Sequence, residues 1–149
     1  MKADDPGPVF VSARSGMDVE FLGIRHRLTS QQTGGACAIF ESTFAPGDAN
    51  RLHVHRLEDE IGYVLEGALE VRLQDRTEML EAGGLARLPK GLAHAIRNPL
   101  PTPSRYLFLA VPGGLDRWFD AVADASHDGT LDDERFEALS EAFGLGWLE

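Results

Sequence analysis

Hydrophobic and polar positions alternate along much of the N-terminal part of the chain, as they do in half-buried β-strands. In one clear example, Leu69 and Val71 alternate with Glu70 and Arg72, which places the apolar side chains on one face of a strand. Glycine and proline residues separate such segments, an arrangement typical of short strands joined by turns. The pattern predicts a mainly β fold over about residues 9–112.

The individual strands are expected where apolar residues alternate, or run together, between turn residues. We place them at residues 9–11, 17–28, 36–44, 61–65, 68–73, 77–80, 92–96 and 106–111.

The hydrophobic period changes in the C-terminal part of the chain. Leu115, Trp118 and Val122 have the spacing of an amphipathic helix. A second helix is expected to begin near Thr130, a residue type that caps helix N-termini well. We therefore predict a pair of α-helices in an extension over about residues 113–149, with its apolar tail docked on the rest of the protein.

Composition and charge narrow the class of protein. A chain of 149 residues suits a single domain, residues 1–149. The formal net charge of −10 argues against non-specific binding to nucleic acid or to an anionic membrane. No apolar run reaches about 18 residues and the N-terminus lacks the apolar segment of a signal peptide, so we expect a cytoplasmic protein. Cys37, the only cysteine, is predicted to be a buried, unreactive thiol.

Candidate chemistry lies in the histidines that follow residue 50. His53 and His55 are two positions apart, so on a strand both imidazoles face the same side. Glu60 follows five positions later, and His94 comes shortly after a turn formed by proline and glycine. Imidazoles and a carboxylate that converge on one point form a candidate metal site.

Two longer motifs contain these residues, and both resemble the motifs of the cupin family. The first has the form G-x5-H-x-H-x4-E-x6-G and is matched by Gly47, His53, His55, Glu60 and Gly67. The second has the form G-x5-P-x-G-x2-H-x3-N and is matched by Gly83, Pro89, Gly91, His94 and Asn98. The resemblance implies a single antiparallel jelly-roll β-barrel with one divalent metal, which His53, His55, Glu60 and His94 would hold.

Residues 33–35, 55–60, 111–114 and 136–144 resemble segments of the small single-domain cupins that are grouped with quercetin (flavonol) dioxygenases. That resemblance implies an oxygenase, with O2 and a small hydrophobic or aromatic molecule as substrates, and implies a homodimer. It also implies a catalytic role for Glu60, which would take the proton from a hydroxyl of the substrate. On ligand type alone, Fe, Mn, Ni, Co, Cu and Zn are all admissible.

Two other classes of function fit the same residues. One is a non-oxidative isomerase, decarboxylase or cyclase that uses the metal as a Lewis acid. The other is a non-catalytic cupin that binds a small molecule with the help of the metal. The fold alone cannot separate these classes.

Several residues near the motifs need an interpretation of their own. Glu58 and Asp59 are expected to form a solvated acidic corner, and His26 to be a surface or groove residue. Gly62 either leaves space beside the metal for a bulky substrate or permits a close approach of the backbone. The side chains expected to point inward are Phe40, Phe44, Leu69, Leu88, Ile96, Tyr106 and Phe108, while Trp118 and Trp147 are expected to pack in the helical extension.

Overall fold

The computed structural model describes residues 5–19 and 23–149. Its described part is mainly β, with antiparallel strand pairs and two α-helices near the C-terminus. The strands are β1 (Met17–Val19), β2 (Ile24–Leu28), β3 (Ala38–Phe44), β4 (His53–His55), β5 (Asp59–Glu66), β6 (Ala68–Arg72), β7 (Thr77–Glu81), β8 (Leu85–Leu88), β9 (Ala95–Arg97), β10 (Ser104–Val111) and β11 (Leu145–Trp147). The helices are α1 (Leu115–His127) and α2 (Asp133–Ala142), and a short 3₁₀ turn covers Gln31–Thr33.

The described strands form three antiparallel sheets. The largest has the order β1-β2-β3-β10-β5-β8, the second has the order β7-β6-β9, and the third pairs β11 with β4. The predicted mainly β fold with a helical pair is confirmed. The closed jelly-roll barrel and the division into a barrel and a helical extension stay predictions.

The core lies between the largest sheet, the three-stranded sheet and the first helix. Strand β10 runs at the middle of the sheet, and its side chains alternate between buried and partly buried positions. Phe108 on this strand stacks on Phe40 of β3, with 4.8 Å between the ring centroids. Phe119 of α1 meets the Phe40 ring edge-on at 5.2 Å. The buried face of α1 is therefore the one that the hydrophobic spacing predicts.

The N-cap of the second helix lies two residues later than predicted. Asp132, rather than Thr130, is the N-cap, and its side chain accepts a 2.8 Å hydrogen bond from the amide of Arg135. Thr130 lies in the preceding connection, where its amide and hydroxyl both bond to the Ala125 carbonyl. An aspartate caps as well as a threonine or better, and here the backbone of Thr130 is already engaged with the end of α1.

The N-terminal strands differ from those predicted. Residues 9–11 form no strand, and the Phe10 side chain is 94% exposed. The predicted strand over residues 17–28 is a pair, because β1 turns back and pairs with β2; residues 20–22 lie outside the described part. Strand β3 begins at residue 38 instead of residue 36, since the turn through Gly34 and Gly35 takes up the chain before it.

The C-terminal tail is docked, as predicted, and its position matters for the candidate site. Strand β11 pairs with β4, so that Leu145 lies opposite His55 and Trp147 lies opposite His53. One side of the histidine-bearing strand is thereby covered by a segment about ninety residues further along the chain.

Neither described helix is long and apolar enough to cross a membrane.

Asn98 joins the end of β3 to the loop that precedes β10. The residue is fully buried, and its side-chain nitrogen donates to the carbonyl oxygens of Phe44, Ala45 and Thr102 at 3.0, 3.2 and 2.9 Å. Its side-chain oxygen accepts a hydrogen bond from the Leu100 amide. The last residue of the second motif therefore has a structural role.

We expect Asn98→Ala to lower the free energy of unfolding by about 2–4 kcal/mol, because it leaves buried backbone groups without partners. Chemical denaturation with metal-free protein measures this change. Gln74→Ala, on the exposed hairpin between β6 and β7, serves as the control and should change the stability by less than about 0.5 kcal/mol. Equal effects of the two substitutions would contradict the role of Asn98.

Candidate metal centre

Four side chains meet at one buried point. His53 and His55 lie on β4, Glu60 lies on β5, and His94 lies just before β9. One ligand atom from each of these residues lies within 4.8 Å of the others, and all four residues are buried. The structure thus brings together the complete set that the two motifs predict.

Backbone pairing determines how the histidines face one another. On β4 the side chains alternate, so His53 and His55 point inward and Val54 points the other way. His53 also forms an antiparallel bridge with His94, in which each amide donates to the carbonyl of the other residue at 3.0 and 2.9 Å. Residues paired in this way carry their side chains on the same face of the sheet. The three imidazoles therefore converge without any contribution from a flexible loop.

Two of the histidine rings are oriented by main-chain oxygens. The Nδ1 atom of His53 lies 2.7 Å from the carbonyl of Arg51, and that of His94 lies 3.1 Å from the carbonyl of Leu92. A carbonyl can only accept a hydrogen bond, so each Nδ1 carries the proton and donates. In the neutral form of each ring the lone pair then belongs to Nε2, the atom that faces the centre. Burial lowers the pKa of His94, but the hydrogen bond from its Nε2 to Glu60 outweighs burial and raises that pKa, so without an ion this ring can carry a second proton on Nε2.

The third ring is oriented by a carboxylate. The Nδ1 atom of His55 donates to Oε1 of Glu58 at 2.8 Å, and Glu58 is only 4% exposed. The prediction that Glu58 is solvated was therefore wrong, because the turn after β4 directs its side chain back toward His55. Asp59, in contrast, points outward, where it accepts a hydrogen bond from Arg87 at 2.9 Å.

The two oxygens of Glu60 have different surroundings. Oε2 faces the histidines, at 3.2 Å from Nε2 of His94 and 3.6 Å from Nε2 of His55. Oε1 accepts a hydrogen bond of 3.3 Å from the hydroxyl of Tyr106. One oxygen is thus available to a metal ion while the other is held by the sheet.

Burial and charge act in opposite directions on these groups. Burial raises the pKa of Glu60, but the hydrogen bond from His94 and the three neighbouring imidazoles outweigh it and lower that pKa to about 2. Burial, together with the positive charges that His55 and His94 can carry, lowers the pKa of His53 to about 4. At neutral pH the centre therefore offers an ionised carboxylate and a neutral His53, the forms that bind metal ions.

Tyr106 keeps its proton in this environment. Burial, and then the nearby charge of Glu60, raise the pKa of its hydroxyl well above the usual value. The phenol is therefore a permanent donor to Glu60 near neutral pH. Sequence reasoning placed Tyr106 only among inward-pointing residues and missed this contact.

Gly62 provides the space that Tyr106 occupies. A Cβ atom added at Gly62 would lie 1.6 Å from the hydroxyl oxygen of Tyr106 and 2.0 Å from its Cζ. The proposal that Gly62 widens a substrate pocket was therefore wrong, because a neighbouring aromatic ring fills the space. What the glycine permits is a close approach, here by a side chain and not by the backbone.

Two further expectations about single residues need correction. His26 is buried, with 2% exposure, and its Nε2 lies 2.9 Å from Oδ1 of Asp120 on α1. It is a core residue, since the helix packs over the strand that carries it. Cys37 is partly rather than fully buried, because it lies ahead of the strand that begins at Ala38.

An apolar cavity of about 470 Å³ adjoins the four residues. His53, His55 and Glu60 form part of its wall, and the aromatic part of the lining comes from Phe44, Tyr106, Phe108, Trp118, Phe119, Phe136 and Trp147. Of the expected inward-pointing residues, Phe44, Ile96, Tyr106 and Phe108 line this cavity, whereas Phe40, Leu69 and Leu88 are buried in the core. Trp147 both packs against the helices and faces the candidate site, with 5.3 Å between its ring centroid and that of His53.

The donor set fits a divalent transition metal. Three imidazole nitrogens and one carboxylate oxygen suit several ions of the first transition row. Four protein ligands would leave one or two positions free on an ion that accepts five or six. The group is thus able to hold a metal ion.

Comparison with known proteins relates one segment of the chain to a protein family. Residues 40–110 match the family described as Cupin domain, and this segment includes all four converging residues. Residues 40–110, slightly less than half of the chain, are therefore similar to a cupin domain.

The individual proteins that this chain resembles share a low sequence identity with it. Acetate kinase EutQ of Salmonella typhimurium is 30% identical over 115 residues, which cover 75% of this chain and 46% of EutQ. Protein SchB of Streptomyces halstedii is 32% identical over 83 residues, which cover 54% of this chain and 60% of SchB. This chain thus spans only about half of the length of the curated relatives that it matches. Among solved structures, KdgF from Halomonas sp. is 25% identical with a TM-score of 0.62, over 74% of this chain and 99% of KdgF.

We expect Glu58→Gln to weaken metal binding about tenfold to a hundredfold, because the neutral amide polarises and orients the His55 ring less strongly. Titration with Co²⁺ or Zn²⁺, followed by calorimetry, gives the affinity. The adjacent Asp59→Asn removes the same charge on the outer side of the strand and should leave the affinity within about twofold. If both variants bind the metal as tightly as the wild type, Glu58 does not support His55.

We expect Gly62→Ala to destabilise the protein by more than about 2 kcal/mol, because the new methyl group overlaps the Tyr106 ring. In a Tyr106→Leu background the same substitution should cost much less, so the two changes should couple by about 1 kcal/mol or more. Denaturation of the two single variants and the double variant completes the cycle. Additive effects would show that the ring does not occupy this space.

Proposed function

We propose that the protein is a metal-dependent cupin enzyme that acts on a small hydrophobic or aromatic molecule. The observation that carries the proposal is the junction of the four buried ligand atoms with the apolar cavity. A structural metal needs no such adjoining space, whereas a substrate does. A small molecule in this cavity would reach the one or two positions that the four ligands leave free.

Each residue of the centre has a distinct role in this proposal. His53, His55, His94 and Oε2 of Glu60 would hold the ion, and the bound ion would acidify a hydroxyl of the substrate and, if redox-active, react with O2. Glu60 would accept the released proton. Its low pKa makes it a weak base, so it can take a proton only from a group that has become strongly acidic.

We propose a dioxygenase of the quercetinase-like type as the leading reaction class. The support is the nitrogen-rich ligand set, which suits redox-active ions, and the resemblance of the sequence to that group of cupins. The expectation that two copies of the chain form a homodimer belongs to this proposal as well.

A second reaction class is favoured by the contact between Tyr106 and Glu60. The phenol donates to Oε1, so a proton taken up by Glu60 would enter an existing hydrogen-bonded pair. Such a pair can remove a proton at one position of a substrate and return it at another with no oxidant. An isomerase, a decarboxylase or a cyclase would use this route.

Elemental analysis of the purified protein separates these possibilities. We expect one transition-metal ion per chain in the wild type and none in the His53→Ala/His94→Ala variant, since that change removes two of the ligands. Iron, nickel, manganese, cobalt or copper would be followed by measurements of O2 uptake with flavonols and related enols. Zinc would favour the non-oxidative class. No metal under any loading condition would overturn the proposed function.

We expect Glu60→Gln to abolish turnover while most of the stability is kept, because the amide can still fill the space but cannot accept the proton. The assay follows whichever reaction the metal analysis indicates, using protein whose metal content has been measured. Glu66→Gln, at the exposed end of the same strand, is the matched control and should retain wild-type activity. Full activity in metal-loaded Glu60→Gln would exclude Glu60 as the proton acceptor.

A further inference from the structure

The cavity beside the candidate metal centre has a cationic residue at its opening. Arg51 lines the cavity and is exposed to solvent, whereas the histidines at the inner wall are buried. Among the lining residues that the structure describes, Arg51 is the only lysine or arginine. In a chain with a net charge of −10, a single cationic side chain in a largely apolar cavity calls for an explanation.

The guanidinium of Arg51 is held on two sides. Its Nε atom donates to the backbone oxygen of Glu149 at 2.6 Å, and its Cζ atom lies 5.0 Å from the centroid of the Trp147 ring. Contact with an aromatic face favours a guanidinium more than it favours an ammonium group. The side chain is therefore fixed before any ligand arrives, which lowers the entropy that binding would cost.

The remaining donors of Arg51 are free. Within residues 5–19 and 23–149, neither Nη1 nor Nη2 makes a hydrogen bond or an ion pair. Two carboxylates are candidate partners. Asp48 also lines the cavity, but its carboxylate accepts a hydrogen bond from the Ala45 amide in its own turn. The Glu149 carboxylate interacts with the charge of Arg51, but its hydrogen bonds come from Nη2 of Arg72, at 2.7 Å to each oxygen. Two parallel N–H groups of an arginine match the two oxygens of a carboxylate.

The free donors lie at a short distance from the metal centre. The Trp147 ring lies close to both, with its centroid 5.0 Å from Cζ of Arg51 and 5.3 Å from the ring centroid of His53. The backbone carbonyl of Arg51 itself accepts the hydrogen bond from Nδ1 of His53. A flat molecule about the length of a substituted phenyl ring would therefore reach from the guanidinium to the ligand atoms along the Trp147 face.

We propose that Arg51 binds a carboxylate of the substrate at the cavity opening, while a hydroxyl at the other end of the substrate lies at the metal centre. The substrate class is accordingly an aromatic or unsaturated carboxylic acid with an oxygen at its far end. This inference rests on the proposed function in one respect, namely that the cavity is where the substrate binds. Arg51 selects and positions the substrate and takes no part in the proton transfer.

Binding of a matched pair of probes tests the inference. The probes are para-coumarate, which has a phenol at one end and a carboxylate at the other, and the neutral para-coumaramide of the same shape. Calorimetry with metal-loaded wild-type protein should show that the acid binds about tenfold or more tightly than the amide, because a charge-assisted bond to arginine is lost in the amide. Raising the salt concentration should weaken binding of the acid and leave that of the amide unchanged.

Variants assign this preference to Arg51. Arg51→Gln should lose about tenfold or more in affinity for the acid and retain its affinity for the amide. Arg51→Lys should bind the acid with an affinity between those of the wild type and Arg51→Gln. Arg76→Gln, on the hairpin between β6 and β7, makes the same change in charge away from the cavity and should behave as the wild type. Thermal unfolding of each variant shows that the C-terminal tail is still docked. Because the salt dependence is measured on the wild type, the test remains valid if Arg51→Gln does not fold.

Each outcome has a definite meaning. Equal binding of the two probes, no binding of para-coumarate, or an unchanged acid preference in folded Arg51→Gln would overturn the inference. Measuring the same pair on metal-free protein separates it from the proposed function. A preference for the acid that persists in a protein unable to bind any metal would contradict the proposed function alone, and metal binding without that preference would contradict the carboxylate site alone.

Discussion

Hydrogen bonding on both sides of strand β4 is the constraint on which the rest of the site depends. The strand has only three residues, too few to be stable on its own. On one side, His53 exchanges two backbone hydrogen bonds with His94, and on the other side β11 pairs along the whole strand. Because the side chains of β4 alternate, this pairing alone places two imidazoles inward and brings a third beside them.

Burial of four polar groups would be costly if they lacked hydrogen-bond partners, and the surrounding structure supplies those partners. Two carbonyl oxygens and Glu58 bind the outer nitrogens of the three rings. Tyr106 binds the outer oxygen of Glu60. The inner atoms are then left facing one another, where an ion of opposite charge to the carboxylate stabilises the arrangement. The hydrogen bonds that offset the cost of burying these polar groups also determine which nitrogen of each ring can coordinate an ion.

The sequence predicted which four side chains converge better than it predicted their surroundings. His53, His55, Glu60 and His94 could be found because their spacing within each motif is local, and the strand alternation of β4 follows from two positions. Glu58 was misjudged since a carboxylate three residues after a histidine has no preferred direction until the turn between them is known. The contact of Gly62 with Tyr106 could not be predicted for a different reason. These two residues lie on different strands, and no local sequence pattern specifies how those strands pair. His26 likewise depends on a helix about ninety residues away.

The pairing of β4 with Leu145–Trp147 also bears on when the metal centre can form during synthesis. A ribosome that has released the chain only as far as His94 has already made every ligand, but the wall formed by Trp147 does not yet exist. Contacts between such distant segments form late because closing the long intervening loop is entropically unfavourable. The four side chains therefore reach their final surroundings only after Leu145–Trp147 has docked on β4, and an ion bound there would meet a site that both segments shape.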